Sequence, residues 1–179
     1  MVDEGDRLEK LRSEVHRILA DGGPFTDVAP RILRALCEGL GWDVGLAWRH
    51  DESAHKIHFV ASWHDQSRPK TQLETLSEQS TFSPGVGLPG RVVSTREPCW
   101  ITDVQRDRGF PRSPAAMEDD FHSAFGFPLL HGFTVLGVME FFSRERRELD
   151  EDFLAVAGML GPELGGVMAA EQNASPGLG

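Results

Sequence analysis

From Ala124 to Ser143 the chain is almost unbroken in its apolarity: Ala124 to Leu130, then His131-Gly132, then Phe133 to Ser143. Aromatic and β-branched residues suit extended backbone, and His131-Gly132 is a plausible tight turn, so the two runs read as paired strands. Both carry apolar side chains on both faces. A strand with one wet face alternates, whereas one that is apolar throughout must be covered twice. This pair therefore lies centrally in its sheet, and the chain must supply helices or a loop layer for each face.

Helical candidates lie at the two ends. Leu8, Leu11, Val15, Ile18 and Leu19 recur at helical spacing and predict an amphipathic helix ending before Gly22-Gly-Pro24. Its apolar stripe is narrow, as in a helix that packs on a partner. A second helix is expected from Thr26, whose hydroxyl would cap the first turn, with Val28, Ile32, Leu33, Leu36 and Leu40 as its buried stripe and Gly41 as its stop. The last helix starts after Asp150, with Glu151 and Asp152 at the positive end of its dipole and Leu149 placed to staple onto Leu154. Phe153, Val156, Leu160, Leu164, Val167 and Met168 continue its stripe, and Gly161-Pro162 is expected to kink or interrupt it. The tail from Asn173 reads as a disordered linker.

Between the ends, Asp43 to Arg49 and Lys56 to His64 alternate and predict a hairpin; Gln72 to Ser80 predicts a short helix. Phe82-Ser-Pro-Gly-Val-Gly-Leu-Pro-Gly-Arg91 then packs three glycines and two prolines into a loop unsuited to helix or strand. Arg91 to Thr95 makes about one helical turn, Trp100 to Val104 a short strand, and Phe110 to Asp120 is irregular because of Pro111 and Pro114.

Several function classes lose ground. The net charge of -10 lacks the clustered basic surface that nucleic acid requires, and Arg144-Glu-Arg-Arg147 is short and interrupted. Two cysteines, Cys37 and Cys99, are too few for a disulfide framework or thiolate metal site, and fit a reducing cytoplasm. The run Phe125 to Phe142 is interrupted by Pro128, His131, Gly132 and Glu140 and falls short of the about 20 residues of a membrane span. His50, His55, His58 and His64 are close in sequence but supply no ligand frame, and His122 and His131 are lone candidates for a haem ligand. Cys99 has no neighbouring base to activate it, so no catalytic residue is expected. Gly85-Val-Gly-Leu-Pro-Gly90 lacks the lysine and hydroxyl of a phosphate loop.

Glu140 is the conspicuous polar residue. A carboxylate inside an apolar strand demands a partner, and Arg91, just after the glycine loop, is the expected one. The pair would lock that loop to the sheet or help to hold a ligand.

The phrases Gly87-Leu-Pro-Gly-Arg-Val92, Pro98-Cys-Trp-Ile-Thr-Asp-Val104, Phe110-Pro-Arg112, Ser123-Ala-Phe-Gly-Phe-Pro128 and Leu136-Gly-Val-Met-Glu-Phe-Phe-Ser143 together resemble the GAF domains of bacterial signalling proteins. The resemblance implies an α+β, PAS-related fold: a central antiparallel sheet of about six strands, terminal helices on one face, and a pocket under loops and short helices on the other. Aromatic walls with a few charged groups would line that pocket, namely Phe82, Arg91, Trp100, Phe110, Phe125 and Glu140. It also implies homodimers through the terminal helices and an output domain of the histidine-kinase or diguanylate-cyclase type. Residues 1–22 would be the signalling helix, 23–171 the GAF domain and 172–179 the tail. The cyclic-nucleotide signature, the bilin-anchoring cysteine and the cysteine set of the methionine sulfoxide reductases are absent from the sequence, so the ligand is unknown. The expected function is a sensory, non-enzymatic domain binding a small molecule, dimerising, or both; the alternatives are a ligand-free structural dimeriser and a haem or metal redox sensor.

Overall fold

The computed structural model describes residues 3–174. In chain order the elements are α1 (Glu4–Asp21), α2 (Phe25–Leu40), β1 (Val44–Asp51), β2 (Lys56–His64), α3 (Gln72–Glu78), β3 (Thr81–Phe82), α4 (Gly87–Thr95), β4 (Cys99–Ile101), α5 (Ser113–Glu118), β5 (Ser123–His131), β6 (Thr134–Ser143) and α6 (Glu151–Ala174). The six strands form one sheet in the order β3-β2-β1-β6-β5-β4, with every neighbouring pair antiparallel. The apolar hairpin β5–β6 is central as expected, and Gly132 makes its turn at φ 61°.

Period-two alternation divides the core. On β5 and β6, Phe125, Phe127, Leu129, Met139 and Phe141 face a layer of α1, α2 and α6. Val138, Glu140 and Phe142 face the opposite layer, built from α3, α4, α5 and their loops. On the helical side, Phe153 of α6 anchors a cluster of rings, with centroids 4.6 Å from Phe125 and 5.1 Å from Phe141. The stripe Leu11, Val15 and Ile18 of α1 is buried against the same chain's core, which accounts for its narrowness.

Helix ends depart from expectation in instructive ways. α2 begins at Phe25, and its cap comes from afar: the Glu171 carboxylate on α6 accepts from Phe25 N–H, so Thr26 is not the cap. α3 has a capping box that the sequence carries in Thr71 and Glu74, each side chain accepting from the other residue's N–H. The Gly-Val-Gly-Leu-Pro-Gly segment is partly helical, because α4 starts at Gly87 and Pro89 lies in its first turn, where a missing N–H does no harm.

α6 runs unbroken through Gly161-Pro162 to Ala174, three residues into the segment expected to be tail; residues 175–179 lie outside the described residues. Gly161 and Gly165 let α6 press on β5, since a Cβ at either would strike the carbonyl of Pro128 or Leu130. Length and composition alone would let α6 cross a bilayer, but half of its apolar stretch is buried in the domain as a core helix.

Candidate functional site

Glu140 lies at the middle of β6 on the loop-side face, 0% exposed. Its partner is Arg112, not Arg91. Arg112 Nη1 and Nη2 donate to Glu140 Oε1 and Oε2 at 2.5 and 2.9 Å, the two-pronged geometry that a planar guanidinium offers a carboxylate. Trp48, diagonally across from β1, donates its indole N–H to Oε1 at 2.9 Å. Arg112 Nη1 also donates to Ser77 Oγ at 3.0 Å, and that hydroxyl donates to Leu73 O in α3.

Arg112 is 1% exposed and sits within a box of rings. Its guanidinium carbon is 4.9 Å from the Phe82 centroid, 5.1 Å from Phe110, 5.5 Å from Phe142 and 5.6 Å from Trp48. Ring faces attract a cation electrostatically, and more strongly where water is excluded. One of its donors, Nε, is buried without a hydrogen-bond partner. Arg112 is the residue just before α5, so this single side chain joins the covering segment Thr102–Asp120 to α3 and to the central strand.

Arg91 serves another contact. It pairs with Asp107 through two bonds of 2.9 and 2.5 Å at the margin of the same cover, and it holds the Asp107 carboxyl below the usual carboxylate range. Cys99 is close by, and burial raises its thiol above the ordinary value despite Arg91. The reason Arg91 misses Glu140 is helical geometry: α4 begins at Gly87, and Arg91 falls on its half-exposed side while Leu88 and Val92 point to the sheet.

Of the other expected pocket residues, Phe82 and Phe110 join Glu140 on the loop-side face. Trp100 and Phe125 do not. They are cross-strand neighbours on β4 and β5 and face the helical layer, where Trp100 donates to Arg147 O at 3.0 Å and packs against Trp42. The register that pairs Gly126 with Glu140 puts the odd-numbered residues of β5 on the helical side. Arg112, Trp48, Ser77 and Phe142 complete the site and were missed. Glu140 itself was the signal, since it demanded a cation, and Arg112 stands between Phe110-Pro111 and Pro114-Ala-Ala116 with no acidic neighbour of its own.

Around the site, Glu74 is buried; burial alone would raise its carboxyl, but bonds from Thr71 N–H, His64 and the Thr71 hydroxyl outweigh this and keep it low. Among the described residues no three His, Cys, Asp or Glu side chains converge as metal ligands. His122 lies 3.2 Å from Asp103 and 3.3 Å from Asp120, while His131 is at the exposed hairpin turn. On the far side of the molecule, α1 and α2 enclose an open groove of about 750 Å³ floored by Leu11 and Ile18 and rimmed by ion-paired arginines.

One antiparallel sheet with long helices on one face, and short helices and loops closed over a polar site on the other, defines a class of sensory and regulatory domain. The chain belongs to the GAF domain family, whose model matches residues 24–169. Its fold is similar to the GAF domain of a phosphoenolpyruvate-protein phosphotransferase from Coxiella burnetii: TM-score 0.81 at 18% identity, covering 96% of this chain and 98% of that one. It is also similar to the free methionine-R-sulfoxide reductase of Neisseria meningitidis, solved with its substrate: TM-score 0.75 at 17% identity, covering 98% of each chain. In sequence it is 30% identical over 142 residues to Protein NLP3 of Arabidopsis thaliana, covering 75% of this chain but 18% of that relative's length.

Proposed function

We propose that this chain is a cytoplasmic, non-enzymatic input module of a longer signalling protein, in which Arg112 holds the cover Thr102–Asp120 shut and a ligand at the loop-side face opens it. The observation that carries this reading is the buried Arg112–Glu140 pair: a single side chain from the cover reaches the centre of the sheet. On β6 the next residues in each direction, Met139 and Phe141, belong to the other face, and Phe141 packs on Phe153 of α6. Disturbance of Glu140 therefore has a short packed route to the terminal helices, which would form the homodimer and pass the change to an output domain. A ligand acts in such a device only through different affinities for the shut and open forms.

Regulation is favoured over catalysis because the reductase-like chemistry of some structural relatives would have to use Cys37 or Cys99. Burial raises both thiols above their ordinary value, and neither is bonded to the other. A ligand-free structural dimeriser is the second reading, favoured by the way Arg112 already fills the loop-side face.

Hydrogen exchange compared between wild type and Arg112→Met separates the two. In the sensory reading, exchange quickens in the cover and also changes in α1 and α6. A change confined to residues 102–120, with α1 and α6 untouched, overturns transmission. Light scattering on the same samples reports the dimer, and a monomer at all concentrations removes that part of the proposal.

A further inference from the structure

The contents of the loop-side face specify a ligand class. If Arg112 is withdrawn, the groups left behind are a fully buried carboxylate, an indole N–H already bonded to it, one serine hydroxyl, and the rings of Trp48, Phe82, Phe110 and Phe142. An anion is repelled by Glu140. A neutral guest leaves that carboxylate without a counter-charge in a site shielded from water, which is the least favourable arrangement for a buried ion. A cation is what satisfies the site while Glu140 stays ionised.

Its shape is specified too. The carboxylate is engaged through both oxygens at 2.5 and 2.9 Å by two nitrogens of one planar group, and the rings stand around that group at 4.9–5.6 Å. A guanidinium matches both demands, whereas an ammonium offers a compact, strongly hydrated point charge. We infer that the loop-side face is a guanidinium site occupied in cis by Arg112, and that a small guanidino compound competes with Arg112 for Glu140 and so releases the cover.

This rests on the reading of that face as the regulatory site. Two features make the internal occupant replaceable. Nε of Arg112 is buried without a partner, so the tethered side chain fills the site imperfectly. The backbone around it is held mainly by short-range bonds, Ser113 N–H to Phe110 O and Ala116 N–H to Arg112 O, and the cover is tied down by ion pairs or caps nearer its ends, Asp107 to Arg91 and Asp119 to the first amides of α3.

The test uses ethylguanidinium and agmatine as guanidino probes, with butylamine as the ammonium control. Calorimetric titration of Arg112→Ala, checked as folded by circular dichroism, should show ethylguanidinium binding at least about tenfold tighter than to wild type, with a rise in melting temperature. Adding Glu140→Gln to that variant should abolish the binding. Failure of the folded Arg112→Ala protein to bind, equal binding in the double variant, or equal binding of butylamine each overturns the proposal.

Should Arg112→Ala not fold, wild type decides: agmatine should accelerate hydrogen exchange in residues 102–120 and butylamine should not, and no response to agmatine overturns the proposal. If Arg112→Met alters α6 while no guanidino compound binds, the regulatory reading stands and only the ligand class falls. If guanidino compounds bind but α6 never responds, the ligand class stands and transmission falls.

Discussion

The two faces of the sheet are built from the same strands and held by different physics. Toward α1, α2 and α6 the contacts are a stack of rings and aliphatic chains, Phe125, Phe127, Phe141, Phe153 and their neighbours, whose stabilisation follows buried area and tolerates small changes of shape. Toward the cover, the centre is an ion pair whose worth depends on both partners being present in one geometry. The helical face is therefore a platform, and the covered face is conditional. Side-chain alternation along β6 is what lets a single strand serve both.

The sharpest way to break this contrast is to remove half of the pair. Glu140→Leu or Arg112→Met alone leaves an uncompensated buried charge and should destabilise by about 3–5 kcal/mol, while the double variant should be far less harmful. A denaturant double-mutant cycle checks this, and additive single effects would mean that the pair contributes no coupling.

On the platform side, Gly165→Ala places a methyl against the Leu130 carbonyl and should destabilise by about 1–3 kcal/mol through displacement of α6, without loosening the cover. Thermal unfolding and exchange at residues 102–120 report the two consequences separately.

The smallest effect is that of acid. Asp107 and Glu74 both titrate below the usual carboxylate range in the folded chain, so they stabilise it above their unfolded values, and that contribution is lost as pH falls through the folded ones. Both groups serve the covered side. Below about pH 4 the cover should lose exchange protection before the α1–α2–α6 layer does. Simultaneous loss on both sides would erase the contrast.

The strands β1, β2, β5 and β6 and the terminal helices were legible because period and apolarity are local properties of sequence. What stayed hidden depends on register and on distance along the chain. That Phe125 turns its ring away from Glu140 follows from the pairing of Gly126 with Glu140, which alternation within a single strand does not reveal. Arg112 and Glu140 are 28 residues apart, and Arg112 stands in a segment without period, interrupted by Pro111 and Pro114. Glu171 capping α2 from the far end of α6 is hidden for the same reason. The demand for a cation at Glu140 was readable, and its supplier was not.

Gly161 and Gly165 have a mechanical consequence. Each brings the axis of α6 onto a β5 carbonyl that any side chain would push away, and they lie four residues apart on one side of the helix. Turning α6 by one residue, about 100°, would drive Leu160 and Leu164 in one sense, or Pro162 in the other, into those places and break the fit. Rolling is thus the motion that this helix resists most. The glycine contact behaves as a fulcrum, and rocking about it, with the far end swinging like the arm of a balance, is the movement left to this helix.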